Sequence, residues 1–358
     1  MRAAVCRGFG APLSIEEVSL AGPEAGEVRV RIRACAICHS DLTFIDGGWG
    51  GDLPAVYGHE AAGEVIESQA EGLNVGDPVV VTLIRSCGHC PACSGGMRMA
   101  CGSEQRLDRE TPLHDAEGAP LVQGMRTAAF AEEVTVHHSQ VAKLSASIPW
   151  DAASLLACGV LTGVGAVTNT AAMPAGATAA VIGLGGVGLN CVQGCRIAGA
   201  SRIVGLDVAA AKLEAGLAFG ATDAVDATAE DAAAQVRAIC GGRGVDYTFV
   251  SVGAARAIDA AQAMLAPGGS LVVVGIPPSG AISHYDPITL AVDSQRIIGS
   301  KMGSARIAVD IPWLVSMWQA GRLKLEELVT GRFALDEIDA AIDGVRRGEA
   351  LRNVVVIE

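Results

Sequence analysis

The sequence predicts an α/β chain with a mainly-β first part followed by a doubly wound parallel sheet. Two observations carry that prediction. From Val28 to Val81 short apolar runs are broken by Gly, Pro and Asp, and EVRVRIRACAIC and AAGEVIES alternate with the period of strands. After Trp150 the texture changes: TAAVIG, SRIVGLD, VDYTFV and GGSLVVVG alternate with Ala-rich helical stretches around Ala210–Phe219 and Ala255–Leu265. Strand and helix in alternation imply a parallel sheet covered on both faces. Near Ile298 the regularity fades into helix (Val309–Ala320, Leu335–Arg347) and a last strand, Asn353–Ile357. At 358 residues the chain exceeds one comfortable core and suits two domains.

Composition narrows the class. Aromatics are only 4% of residues, so the cores must rest on Val, Ile, Leu and Ala. A net charge of −13 sets the surface against nucleic acid or an anionic membrane as partner. The opening MRAAVCRGFG lacks the apolar stretch of a secretory signal, and a cytoplasmic location is the expectation. Residues 171–189 carry no charge and are long enough to span a bilayer, yet they are built of Gly, Ala, Thr and Pro with few Leu, Ile or Phe. A buried strand running into a glycine turn suits them better.

That turn reads Gly183-Leu-Gly185-Gly-Val-Gly188. A strand precedes it, a helical run follows to about Gly199, and a second strand closes the unit at Asp207, nineteen residues after Gly188. In this context the glycines allow a tight turn and let backbone N–H groups approach a pyrophosphate at the helix start. Asp207 can accept the adenosine-ribose hydroxyls and repels a 2′-phosphate, which favours NAD over NADP. The competing reading is a tight turn with no ligand.

Eleven cysteines are many for a reducing compartment, where clustered thiols more often bind metal than form disulfides. Cys87, Cys90, Cys93 and Cys101, spaced by three, three and eight, can fold one loop around a tetrahedral ion. Four thiolates leave no open position, so zinc there would be structural. Two disulfides or an iron–sulfur cluster are the alternatives. His89 lies inside this lobe as a loop residue. Other candidates are dispersed: Cys38-His39-Ser40-Asp41 follows one strand, Gly58-His59-Glu60 precedes another, and Cys158-Gly159 opens the second half. Singly, Cys158 reads as a small buried hydrophobe and His59 as a core histidine.

With CHSD, GHEAAGEV, CGHCPAC, CGVLTG and GLGGVG in this order, the sequence resembles the zinc-containing alcohol dehydrogenases of the medium-chain dehydrogenase/reductase superfamily, from RAAV to EALRNVVV. The resemblance implies a GroES-like catalytic domain (1–159) with a structural-zinc lobe, a Rossmann NAD-binding domain (160–298) and a return to the catalytic domain (299–358). It implies two zinc ions per chain, the second held by Cys38, His59 and Cys158 with one position open, for Lewis-acid chemistry on an alcohol or aldehyde. Glu60 matches a carboxylate that exchanges with the fourth ligand, Asp41 the acid that orients the zinc histidine, and Ser40 the hydroxyl that takes the alcohol proton. Asp207 and Lys212 match the adenosine-ribose pair. Thr162, Val187, Val274 and Ile276 match nicotinamide contacts, and His39 and Arg352 match pyrophosphate contacts; a solvated surface arginine is the other reading of Arg352. A homodimer joined through the Rossmann sheets, with a tetramer possible, is also implied.

Two departures shape the expected substrate. Many relatives carry histidine where this chain has Thr43, so a proton would leave through water instead. Thiol-adduct dehydrogenases of the family place an acid where Trp49 stands, and polyol dehydrogenases a carboxylate where Cys158 stands. A primary or aromatic alcohol or aldehyde is expected, in an apolar pocket of Trp49, Leu83 and Ile276; for Trp49, plain loop packing is the competing reading. A thiol-adduct dehydrogenase and a non-catalytic zinc- and NAD-binding protein are the alternative functions.

Overall fold

A computed structural model of the chain describes residues 1–145 and 147–358. They form two compact units, Met1–Gly159 with Arg306–Glu358, and Val160–Ala305.

In the first unit the strand Glu27–Ala36 is the organising element. Val28, Val30 and Ile32 are wholly buried on one face, each worth roughly 1.5–3 kcal/mol. The strand pairs antiparallel with Glu60–Ser68, Glu133–His137 and Arg352–Val356. Pro78–Val81 and Val141–Lys143 extend the sheet beyond Glu60–Ser68, and Val329–Phe333 extends it beyond Arg352–Val356. Alternation gives way to continuous burial at Ala34–Ala36, and there Ala36 stands opposite Glu60. That register matters, because the loops leaving the two strands carry Cys38 and His59.

The second unit is a parallel sheet in the order Asp223–Asp226, Arg202–Asp207, Thr178–Ile182, Val245–Val250, Leu265–Val273, Arg296–Gly299. In chain order this is 3-2-1-4-5-6, and the strand order reverses between the parallel neighbours Thr178–Ile182 and Val245–Val250. Ligands of such sheets sit outside the carboxyl ends of the strands at that reversal. The uncharged 171–189 stretch resolves into the buried strand Thr178–Ile182, the glycine turn and the start of the helix Gly186–Ala198. No single helix among the described residues is long and apolar enough to cross a membrane.

The expected second boundary at 298/299 needs correction, since the second unit runs on to Ala305. The Met302–Ser304 turn packs into it: a Cβ on Gly303 would stand 2.4 Å from the Leu161 carbonyl, and the Thr170 hydroxyl meets those of Ser300 and Ser304 at 2.8 Å. The helix expected over Ala255–Leu265 stops at Gln262, because Leu265 already enters a strand beside Val245.

Candidate active site

Strand register and one short helix assemble a buried cluster. Cys38 caps the helix His39–Ile45 in extended backbone, and His59 leads into the strand Glu60–Ser68. Cys158 follows the turn Leu155–Ala157. The Cys38 and Cys158 sulfurs, a His59 ring nitrogen and a Glu60 carboxylate oxygen lie within 4.8 Å of one another, all buried. Asp41 holds the arrangement from behind: Oδ2 accepts the Cys38 amide at 3.1 Å, and Oδ1 accepts the Gly58 amide at 3.1 Å and faces His59 Nδ1 at 2.9 Å. Gly58 needs its φ of +91°, and a Cβ there would stand 2.6 Å from the Phe130 nitrogen.

This leaves His59 Nε2 buried with no hydrogen-bond partner. A buried polar atom without a partner is costly. Between two thiols and a carboxylate, with Nδ1 engaged by an acid, it has the build of a zinc ligand backed by its orienting carboxylate. A hydrogen bond from Cys158 holds the Cys38 thiol well below its ordinary range, and the same bond together with burial pushes Cys158 well above its own. Burial works against a charged His59, but Asp41 and Cys38 outweigh it and raise the imidazole. Burial lifts Glu60 to about 7, against the pull of Arg352.

Arg352 is not a solvated surface arginine: it is 5% exposed and ion-paired with Glu60. Burial of both partners explains the pairing, since neither charge could stand alone out of water. The Gly159 amide completes the contact, donating to Glu60 Oε2 at 3.3 Å.

Ser40 is half-buried in the first turn of the helix His39–Ile45, and His39 is exposed. The Thr43 hydroxyl donates to the His39 carbonyl at 2.9 Å and so is occupied within the helix. Trp49 stands edge-on to Phe44 at 5.2 Å between ring centroids, and Phe44 stacks on Tyr57 at 5.8 Å. Leu83 is half-buried in the same unit.

The four-cysteine lobe is built differently. Its sulfurs also lie within 4.8 Å of one another, with Cys87–Cys93 at 4.0 Å and Cys90–Cys101 at 3.9 Å. A disulfide needs about 2.05 Å, whereas zinc–sulfur bonds of about 2.3 Å put tetrahedral ligands roughly 3.8 Å apart. The spacing fits the ion. Backbone amides already serve the sulfurs: Cys90 N donates to Cys87 Sγ at 3.3 Å and Cys87 N to Cys101 Sγ at 3.4 Å. A bond from Ser103 brings Cys87 down to about 5, ready to bind as thiolate. His89 turns back on the Cys87 carbonyl.

In the second unit the glycine turn closes over the sheet's reversal. Gly183, at φ +88°, would drive a Cβ to 2.3 Å from Val252, and a Cβ on Gly188 would stand 1.7 Å from the Gly183 carbonyl. A Cβ on Gly185 would meet nothing within 4 Å. The first and third glycines therefore close the turn, and the second leaves open space at the start of the helix Gly186–Ala198, where backbone N–H groups can hold a pyrophosphate. Asp207 ends its strand and accepts the Leu184 amide at 2.7 Å and the Ala209 amide at 3.1 Å. Lys212 lies in the first turn of the helix Ala210–Phe219, lowered by burial and drawn back up by Asp207. Val187 packs its carbonyl against Gly163, beside the buried Thr162, whose hydroxyl reaches Met302 Sδ at 3.7 Å. Val274 is buried and Ile276 is 59% exposed. Ser251 went unnoticed in the sequence; its hydroxyl donates to the Gly183 carbonyl at 2.8 Å and braces the turn. Its only signal there is a hydroxyl ending the strand before VG.

Comparison with known proteins agrees across the chain. Residues 24–146 match the alcohol dehydrogenase GroES-like domain and residues 186–317 the zinc-binding dehydrogenase family. The chain is 35% identical to an alcohol dehydrogenase class-3 of Cereibacter sphaeroides, over 99% of each. It is 35% identical to an alcohol dehydrogenase of Malus domestica, over 100% of this chain and 97% of that one. Among solved structures, an alcohol dehydrogenase zinc-binding domain protein from Burkholderia ambifaria has a TM-score of 0.95 at 34% identity, covering 100% of this chain and 98% of that one. Benzyl alcohol dehydrogenase from Acinetobacter calcoaceticus has a TM-score of 0.93 at 28% identity, covering 100% and 99%.

Proposed function

The chain belongs to the zinc-containing alcohol dehydrogenase family, and on that premise we propose that it interconverts a primary or aromatic alcohol and its aldehyde with NAD(H). The observation that carries the reading is the partnerless His59 Nε2 between Cys38 and Cys158, the two-sulfur, one-nitrogen donor set of a catalytic zinc site. Zinc held there supplies Lewis acidity that makes an alcohol hydroxyl acidic near neutral pH. Asp41 keeps the His59 proton on Nδ1, so that Nε2 presents its lone pair. Ser40 accepts the alcohol proton and passes it on; because Thr43 is no base and is bonded to the helix, the exit is water. NAD, which the Gly183–Gly188 turn and Asp207 would hold, would supply the acceptor for a hydride from the carbinol carbon, so that the alcohol would be oxidised as NAD is reduced. Asp207, carrying negative charge at the strand end, sets the preference for NAD. Glu60, neutralised by Arg352, stands as the fourth member of the cluster.

Supporting the substrate class are Trp49, the apolar Leu83, and likeness to a benzyl alcohol dehydrogenase. A cytoplasmic homodimer is part of the proposal. Ile282, Ile288, Val292 and Ile297 are exposed around the edge strand Arg296–Gly299 of the second unit, the kind of apolar face that a second copy covers. Light scattering tests this, and a monomer would contradict it.

For activity the zinc-loaded protein is mixed with NAD and aliphatic, benzylic and terpenoid alcohols while NADH absorbance is followed. Turnover on benzylic or primary alcohols is expected. Activity only when a low-molecular-weight thiol is supplied would move the assignment to thiol adducts, and no turnover on any of them would overturn it.

A further inference from the structure

Arg85 is 2% exposed and plays no part in the chemistry above. Burial lowers its guanidinium to about 10, yet each arm of it is used. Nε donates to Gln140 Oε1 at 2.8 Å and Nη1 to Asp108 Oδ1 at 3.0 Å. Nη2 reaches both Gln123 Oε1 and the Arg126 carbonyl at 2.9 Å. Gln140 Nε2 donates to the same Arg126 carbonyl at 2.9 Å and to that of Thr82 at 3.0 Å. A buried arginine is a poor choice where packing alone is needed, because an apolar side chain of similar size would fill the space without the desolvation.

What it grips is unusual backbone. Met125, Arg126 and Ala128 hold φ of +51°, +63° and +60°, three non-glycine residues in the left-handed region within one turn. Such backbone persists only where surrounding contacts over-determine it, and Arg85, Gln140 and Gln123 supply those contacts. The chain leaving the turn then pairs with the segment before His59: Ala129 N donates to the Gly58 carbonyl and Phe130 N to the Tyr57 carbonyl, both at 2.9 Å. Gly58 in turn gives its amide to Asp41, the acid that faces His59.

We propose that Arg85 is a positioning residue for the metal centre: it locks the 124–128 turn, and the turn sets the Tyr57–Gly58 backbone that aims His59 Nε2. The proposal rests on the reading of His59 as a zinc ligand. A planar, multi-arm donor is what fixes one carbonyl and three side chains at once, and lysine cannot reproduce that geometry.

The test uses the full zinc-loaded chain, native and as Arg85→Lys and Gln123→Ala, the second because Arg85 is close in sequence to Cys87 and its replacement could disturb that lobe. Zinc release to a chelator is followed with a zinc-responsive dye, and the phase missing from Cys38→Ser identifies the buried site. Both variants are expected to speed that phase about tenfold, the usual scale for loss of outer support, to leave the lobe's phase unchanged in Gln123→Ala, and to raise hydrogen exchange at the Ala129 and Phe130 amides. They should lower kcat with the KM for NAD unmoved. A lower Tm with native zinc release and native exchange at these amides would mean a merely structural arginine and overturn the proposal. Failure of the dehydrogenase reading looks different: native protein that holds zinc and turns over nothing, whatever the variants do.

Discussion

The two cysteine-bearing clusters solve opposite problems with similar atoms. The lobe of Cys87, Cys90, Cys93 and Cys101 draws all its ligands from one loop, with Cys87 and Cys90 half-exposed and backbone amides bonded to the Cys87 and Cys101 sulfurs. The Cys38, His59 and Cys158 cluster is gathered from three segments, is buried throughout, and is held from behind by Asp41. The first can close around an ion almost by itself, and the second exists only because the sheet has already set its register. A metal in the lobe would therefore hold structure together, whereas the buried set, gathered by the fold itself, is the one the proposed chemistry would use.

Breaking each cluster should separate those roles. Cys38→Ser should cut turnover by about a thousandfold or more, since Lewis-acid stabilisation is worth several kcal/mol at roughly 1.4 kcal/mol per tenfold. Its circular dichroism should stay native. Cys90→Ser should instead lower Tm by roughly 5–10 °C and leave measurable turnover in the cold, a loss on the order of 3 kcal/mol in a chain of this size. If the two variants behave alike, the contrast between the clusters is wrong. Asp41→Asn sharpens it, because the orienting acid serves only the buried site: zinc affinity there should weaken about 10- to 100-fold in a chelator competition, with the lobe untouched.

Smaller effects belong to the second unit. Asp207→Ala should reduce the NAD-over-NADP ratio of kcat/KM roughly tenfold, the scale of one lost charged hydrogen bond. Asp246 tests stability alone. Burial raises its carboxyl, but the Thr178 amide and hydroxyl at 2.9 Å, with Arg243, outweigh burial and hold it below the ordinary range. Its contribution is thus full above pH about 4 and is lost as pH falls through the lower folded value. Asp246→Asn should lower Tm by a few degrees at neutral pH, about 1 kcal/mol, and the gap from native should close in acid.

How much of this was legible in the sequence depends on how local the information is. The glycine turn and the four-cysteine lobe are contiguous, and spacing alone points to their chemistry. Cys38 and His59 meet through the pairing of Ala36 with Glu60, and Cys158 joins them from the turn Leu155–Ala157, none of which periodicity encodes; only the resemblance to a family drew them together. The burial of Arg352 was not legible, because a near-terminal arginine shows no sign of the buried acid it will face. Arg85 gave no signal at all, since its partners at 108, 123, 126 and 140 come from segments without a distinctive pattern in the sequence. The second boundary slipped for a related reason: the turn at Met302–Ser304 packs through glycine contacts that lie over a hundred residues away.

Anomalous scattering from crystals of the native protein, collected across the zinc edge, tests the central claim most directly. Two zinc peaks per chain are expected. One lies about 2.3 Å from the sulfurs of Cys38 and Cys158 and about 2.0–2.1 Å from His59 Nε2, the other at about 2.3 Å from all four lobe sulfurs. A single peak, or a peak that leaves His59 Nε2 without a metal, would contradict it.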